Sequence, residues 1–172
     1  MNSNQDSVNT IPASNKYDEE YVKLVHNVLN ETVRSFEKEQ KLSDKVLLNL
    51  YNIFGTVFER ALELYEQGRI THIYSSETVA ALPHNDNNNT RYLVQVKGFS
   101  GSIYVLFPDV NYCTCSSFRC QVLNDKSLFT CKHVLADCLA TITKSKLSYQ
   151  YMTETQFQSV LLHQVSYVQH VI

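Results

Sequence analysis

The sequence predicts an α+β fold built from N-terminal helices, a small antiparallel sheet, a ββα unit and a C-terminal helix. Apolar residues follow a helical period as far as Gly68, and an alternating period begins at Arg69. Two short Cys/His pairs then flank a turn-rich stretch in the C-terminal half. The chain has 172 residues, 44% of them apolar, which is enough to bury the core of one domain.

Two helices are predicted in the first part of the chain. The first begins at Asp18, where three successive acidic residues suit the positive end of a helix dipole. The second extends from Ser43, a residue type favoured at helix N-caps, to Gln67, and the glycine that follows ends it. The apolar stripe of this second helix is wide, so we expect the helix to pack on two sides.

Strands and further helices are predicted after residue 68. The strands are Arg69–Ser75, Arg91–Lys97 and Ser102–Phe107, and the last two are joined by a Gly-Phe-Ser-Gly hairpin signal. A polar loop with an Asn-rich run at residues 85–89 separates the first two strands. One helix is predicted to end near Lys144, and a last helix to run from Thr153 or Glu154 to near Val168.

Four residues form the chemically most informative pattern: Cys113, Cys115, Cys131 and His133. They read C-x-C, then fifteen residues, then C-x-H. Three thiols and one imidazole complete a tetrahedral ligand set for one Zn²⁺ per chain and leave no position for water. The first pair is predicted to lie at a strand end, where residues two apart share a face. The second pair must lie at a helix cap and first turn, because residues two apart inside a helix point about 200° apart.

The alternative is that these are ordinary buried thiols, since cysteine is common in protein cores. Two such pairs, one after a strand and one before a helix, favour metal. Cys138 falls on the apolar face of the following helix and is predicted to be a core residue, whereas Cys120 is kept as a possible substitute ligand. Five cysteines and no export signal predict a reducing compartment.

The composition of the chain argues against several classes of function. No run of 18 apolar residues exists, and no P-loop motif is present, so neither a membrane span nor ATP hydrolysis is predicted. The formal charge of −2 argues against strong independent binding of nucleic acid. Residues 109–146 nevertheless hold five Lys or Arg against three acids, which is either a solvated face or a weak basic surface. Its candidate nucleic-acid contacts are Lys126, Lys132, Lys144 and Lys146.

The motif resembles a SWIM zinc domain, a ββα unit. The flanks Tyr-Cys-Thr-Cys-Ser-Ser-Phe118 and Leu-Phe-Thr-Cys-Lys-His-Val-Leu135 are similar, more narrowly, to the SWIM-type zinc finger protein of the eukaryotic Shu complex. The segment Leu-Tyr-Asn-Ile-Phe-Gly55 adds to this resemblance, which spans residues 43–145. The predicted segments are a disordered tail (1–15), a helical region (16–68), antiparallel strands (69–111), the SWIM zinc unit (112–146) and a C-terminal helix (147–172).

The resemblance implies a function that composition does not show. It implies a nuclear, non-enzymatic adaptor that pairs with a RecA-like recombinase paralogue and promotes recombinase filament assembly on single-stranded DNA, in homologous recombination repair and meiosis. No membrane and no small-molecule substrate are expected. The predicted partner contacts lie on the second helix: Phe54, Phe58 and Tyr65. The alternative function is a stand-alone zinc module that binds single-stranded nucleic acid directly through charge and stacking.

Overall fold

A computed structural model describes residues 19–75 and 91–169, with side chains in the last helix as far as residue 164. The predicted α+β class is confirmed, since the described residues form six helices and one four-stranded sheet. The helices are α1 (Glu19–Glu39), α2 (Asp44–Phe54), α3 (Thr56–Glu66), a π-helical turn (Phe118–Asn124), α4 (Lys132–Thr143) and α5 (Glu154–Gln169). The strands are β1 (Ile70–Ser75), β2 (Tyr92–Lys97), β3 (Ile103–Leu106) and β4 (Leu147–Met152). The predicted tail, residues 1–15, and the Asn-rich loop, residues 85–89, lie outside the described residues.

The segment predicted as one helix from Ser43 to Gln67 is two helices, α2 and α3, divided at Gly55. This glycine has φ 53° and ψ −134°, a conformation that residues with a side chain rarely adopt. Its N–H donates to the carbonyl of Tyr51 at 2.7 Å, and its own carbonyl accepts from the N–H of Phe58 at 3.0 Å. One helix therefore ends and the next begins at a single residue. Ser43 is the N-cap of α2 as predicted, although its side chain makes no capping hydrogen bond.

The predicted partner contacts Phe54, Phe58 and Tyr65 are core residues, and this prediction is corrected. Their exposed fractions are 8%, 4% and 9%. They belong to one buried cluster with residues of α1, α4 and the sheet. The apolar stripe of α2 and α3 is wide because it packs against the helices and the sheet together, which leaves these three side chains no surface to present.

The sheet has the strand order β3-β2-β1-β4. The predicted hairpin is present: β2 and β3 pair antiparallel, and β2 also pairs antiparallel with β1. Strand β4 adds a parallel edge to β1, with Thr71 opposite Ser148. The helix predicted from Thr153 or Glu154 to near Val168 is confirmed as α5. The segment 147–172, predicted as a C-terminal helix, is thus helical only from Glu154 within the described part. Its first six residues, in which apolar and polar side chains largely alternate, form β4 and complete the sheet.

The two faces of the sheet are covered by different helices. On one face, Ile70, Val94 and Leu106 pack into the main cluster with α3 and α4. On the other face, Ile73 and Leu93 form a smaller cluster with Phe157 of α5. Among the described residues, no helix combines the length and the apolar character needed to cross a membrane.

Candidate metal centre

The first Cys pair lies in the loop after β3 and not at a strand end as predicted. The chain leaves the strand at Pro108 and turns at Asp109, which has φ 59°; the N–H of Tyr112 then donates to the carbonyl of Val110 at 2.8 Å. Backbone N–H groups outside the sheet are free to point at sulfur. The N–H of Cys115 lies 3.4 Å from Cys113 Sγ, and that of Phe118 lies 3.3 Å from Cys115 Sγ. The loop therefore supplies donors that favour thiolates.

The second pair lies where the sequence predicted it. Cys131 is the N-cap of α4, with extended backbone (φ −103°, ψ 166°), and His133 lies in the first turn. The carbonyl of Cys131 accepts the first helical hydrogen bond, from the N–H of Leu135 at 3.1 Å. The unpaired N–H groups and the dipole at this helix end favour negative charge on the Cys131 sulfur.

The four side chains converge on one point. Their ligand atoms all lie within 4.8 Å of one another, and all four residues are buried. With Zn–S bonds of about 2.3 Å and Zn–N bonds of about 2.0–2.1 Å, a tetrahedral site separates sulfur from nitrogen by about 3.6 Å and two sulfurs by about 3.8 Å. Cys113 Sγ and His133 Nδ1 are 3.6 Å apart. The donor set thus fits one tetrahedral ion, with Nδ1 as the histidine ligand.

The electrostatics of the cluster call for a cation. Hydrogen bonds from Cys113, Cys131 and His133 hold the pKa of the Cys115 thiol well below its usual range. The hydrogen bonds that Cys113 makes with Cys115 and Cys131 raise the pKa of the Cys113 thiol, and burial adds to this. The hydrogen bond with Cys113 favours the Cys131 thiolate, but the one with Cys115, together with burial, outweighs it and raises the pKa of Cys131 to about 12. Without a positive charge the cluster therefore favours one thiolate, and a divalent ion compensates for the ionisation of all three.

Two contacts that sequence reasoning missed position the ligands. The ring of Tyr104 stacks on the ring of His133, with centroids 4.1 Å apart and an interplanar angle of 23°. The other ring nitrogen of His133, Nε2, is buried without a hydrogen-bond partner among the described residues. The orientation of this imidazole is thus set by packing and by the cluster. No residue pattern marks Tyr104 in the sequence, because it lies on a strand far from the Cys/His motif.

Asn111 joins the two ligand-bearing loops. Its side-chain nitrogen donates to the carbonyl of Phe129 at 2.9 Å, and its side-chain oxygen accepts from the hydroxyl of Thr130 at 2.7 Å. Thr130 directly precedes Cys131, and Asn111 lies two residues before Cys113. These two hydrogen bonds hold the loops at the separation that the cluster requires.

The remaining cysteines lie outside the cluster. Cys120 is exposed on the π-helical turn, so the possibility that it substitutes as a ligand has no support from its position. Cys138 is half-buried, and burial, with the charge of Asp137, raises the pKa of its thiol to about 11.

The predicted nucleic-acid contacts are spread over several elements. Lys132 begins α4, and its Nζ lies 5.4 Å from the ring centroid of Phe99. Lys126, Lys144 and Lys146 are exposed residues at turns, with φ of 49°, 48° and 56°. The aromatic residue Phe118, which lies between the ligand pairs, is fully buried and packs edge-on against Tyr112.

A C-x-C loop after a hairpin and a C-x-H helix start, joined in a closed Cys₃His cluster, define a SWIM-type zinc finger. Comparison with known proteins agrees. The chain is 28% identical over 122 residues to human Zinc finger SWIM domain-containing protein 7, covering 71% of this chain and 79% of the relative. It is 27% identical over 136 residues to the zebrafish protein of that name, covering 77% and 89%.

A relative from Dictyostelium discoideum, a Zinc finger SWIM domain-containing protein 7 homolog, is 30% identical over 125 residues, covering 73% of this chain and 72% of the relative. No protein-family model matches the sequence, and no solved structure matches it. This chain belongs to the family of Zinc finger SWIM domain-containing protein 7, which confirms the predicted resemblance. SWIM zinc fingers are a non-catalytic domain type.

Proposed function

We propose that this protein is a non-enzymatic adaptor that holds one Zn²⁺ per chain and pairs with a RecA-like recombinase paralogue. In that role it promotes assembly of the recombinase filament on single-stranded DNA, in homologous recombination repair and meiosis in the nucleus. The observation that carries the proposal is the closed Cys₃His cluster in a chain of this family. A metal with four protein ligands has no position for substrate or water, so it builds a surface and does not catalyse.

The pairing requires an apolar surface. With Phe54, Phe58 and Tyr65 in the core, the exposed apolar side chains of the same region are Leu48 and Tyr51, with 59% and 44% of their surface exposed. They are three residues apart on α2 and so lie on one face of the helix. Both are therefore our candidate contacts with the RecA-like subunit.

The metal is tested by quantifying zinc on the purified chain. We expect one equivalent per chain, and loss of the metal from Cys131→Ser and His133→Ala. Cys138→Ser is the matched control, because it removes a thiol from the same helix that lies outside the cluster; it retains one equivalent. A purified chain that is folded and carries no zinc would contradict the proposal.

The pairing is tested by expressing the tagged chain in the cells of origin and identifying, by mass spectrometry, the proteins that stay bound to it. We expect one subunit with the P-loop ATPase core of the RecA type in a fixed ratio to the chain. The ligand variants lose this subunit together with the metal, and Cys138→Ser keeps it. Should the zinc-loaded chain be a stable monomer with no such subunit, the pairing is refuted and the stand-alone module becomes the function to pursue.

A further inference from the structure

An exposed aromatic ring lies beside two cationic side chains at the hairpin end of the sheet. Phe99 is the second residue of the turn between β2 and β3, and 41% of its surface is exposed. The turn is closed by hydrogen bonds from the N–H of Gly98 to the carbonyl of Ser102 at 2.8 Å and from the N–H of Gly101 to the carbonyl of Gly98 at 3.1 Å. Phe99 is thus presented on a fixed support.

Both cations contact the ring. The guanidinium carbon of Arg69 lies 4.9 Å from the ring centroid, and Lys132 Nζ lies 5.4 Å from it. Both distances are within the range of cation–π attraction. Arg69 is further held in place, because its Nε donates to the Gln67 side chain at 2.7 Å and its Nη1 to the carbonyl of Gly98 at 3.1 Å.

A polar groove continues from this site across the open part of the sheet. It has a volume of about 370 Å³ and is lined by Gln67, Gly68, Arg69, Thr71, Gln95, Lys97 and Ile103. The described residues that line it include two cations and no carboxylate. Within the described part of the chain, Arg69, Lys97 and Lys132 form no ion pair. Charge here is therefore uncompensated, although the whole chain has a net charge of −2.

We propose that Arg69, Lys97, Phe99 and Lys132, here called the Phe99 surface, bind single-stranded DNA. Arg69 and Lys97 contact phosphates along the groove, Lys132 contacts a further phosphate beside the ring, and the exposed part of the Phe99 ring packs against an unstacked base. Single strands offer accessible base faces beside their phosphates, which duplex DNA does not. Phosphates alone would account for the three cations, and the exposed part of the ring adds an apolar face that a base can cover. The inference rests on the proposed function, because it names the surface through which this adaptor reaches the strand itself.

The test uses the full chain with its zinc, alone and in its complex with the co-purified subunit, and a fluorescent oligothymidylate as probe. Three phosphate contacts predict a slope of about −2 for log affinity against log salt concentration, or about a hundredfold weaker binding for a tenfold rise in salt. Phe99→Leu weakens binding about fivefold to a hundredfold, the range for loss of one aromatic stacking contact. Phe99→Tyr should bind the oligonucleotide about as tightly as the unaltered chain, because it keeps the aromatic ring. A merely structural role for the ring at the turn predicts instead that Phe99→Leu and Phe99→Tyr behave alike.

Charge is tested at Lys97, because this side chain is exposed and we expect Lys97→Glu to leave the fold intact. We expect at least about a fivefold loss of affinity and a shallower salt slope. The control is Arg34→Ala with Lys38→Ala, which removes charge from the exposed side of α1. Equal losses in this control, or unchanged binding in Lys97→Glu and Phe99→Leu, overturn the proposal. Tighter binding of oligouridylate or of duplex DNA than of the single DNA strand overturns the choice of ligand.

The same samples separate this inference from the proposed function. All Phe99-surface variants should keep one zinc and the RecA-like subunit, since none of these residues lies in the metal cluster or on the Leu48 face of α2. Loss of DNA affinity with intact pairing supports both proposals. Failure of the wild-type chain to pair, with binding to the oligonucleotide that depends on Phe99, refutes the adaptor and supports the Phe99 surface.

Discussion

Removing the metal should unfold more than the zinc unit itself. Two of the four ligands, Cys131 and His133, lie at the start of α4, and the same helix buries Leu135 and Leu139 in the main core. Loss of the metal therefore frees the N-terminal end of α4, the helix on which α3 and the sheet pack. The perturbation is chelation of the purified chain, or Cys131→Ser.

The magnitude follows from the size of the competing free energies. Structural zinc contributes an apparent 10–16 kcal/mol in small motifs at neutral pH, whereas a domain is stable by about 5–15 kcal/mol in total. The metal-free cluster also retains three crowded thiols, of which only Cys115 has a pKa well below the usual range. Loss of zinc thus removes about as much free energy as the whole fold has in reserve.

The assay is hydrogen exchange with mass analysis, alongside near-ultraviolet circular dichroism. After chelation we expect the amides of α4 and of residues 112–131 to lose protection, and the aromatic signal to collapse. Cys138→Ser, whose thiol lies outside the cluster, should behave as the unaltered chain until chelator is added. Protected α4 amides and an unchanged aromatic signal in a sample shown to be free of metal would refute the reasoning.

Three further changes separate core, surface and loop roles. Phe58→Ala should lower the free energy of unfolding by about 3–5 kcal/mol in denaturant titration, because it leaves a cavity in the core; Leu48→Ala should change it by under about 0.5 kcal/mol and instead weaken retention of the RecA-like subunit. Asn111→Ala should lower the free energy of unfolding by about 1–3 kcal/mol, because it removes both hydrogen bonds that join the ligand loops. Faster release of zinc to a competing chelator would measure this loss. With zinc bound at pH 8, iodoacetamide should modify the exposed Cys120 first and Cys138 slowly, because burial raises the pKa of Cys138 to about 11 and leaves little thiolate; equal rates for the two thiols would contradict that pKa.

The donor set was predictable because its information is local. Each ligand pair spans three residues, and the geometry of a helix start dictates that Cys131 caps α4 while His133 occupies its first turn. The hairpin was predictable for the same reason, since β2 and β3 are joined by a short Gly-containing turn. In these places the sequence period and the turn chemistry act over a few residues, and tertiary contacts do not reverse them.

The errors arose where distant parts of the chain meet. Strand β4 alternates Leu147, Tyr149 and Tyr151 with polar residues, but its partner β1 lies in the other half of the chain and pairs with it in parallel. As an edge strand it is mostly exposed, so its sequence is weakly apolar and resembles a loop before a helix. An apolar stripe on a helix likewise indicates burial without showing what covers it, so the sequence alone does not distinguish a partner contact at Phe58 from a core position.

The metal centre shows how local and distant information combine. The Cys/His spacing selects which atoms can bind the ion, but the positions of those atoms depend on Tyr104 stacking on His133 and on Asn111 joining the two loops. Neither residue belongs to the motif, and both are common residue types. Because Nε2 of His133 has no protein acceptor among the described residues, no hydrogen bond from that nitrogen orients the ring, and the stacked tyrosine orients it together with the cluster. A SWIM motif grafted onto a sheet without an aromatic residue at this position would therefore keep its ligands and lose the orientation of one of them.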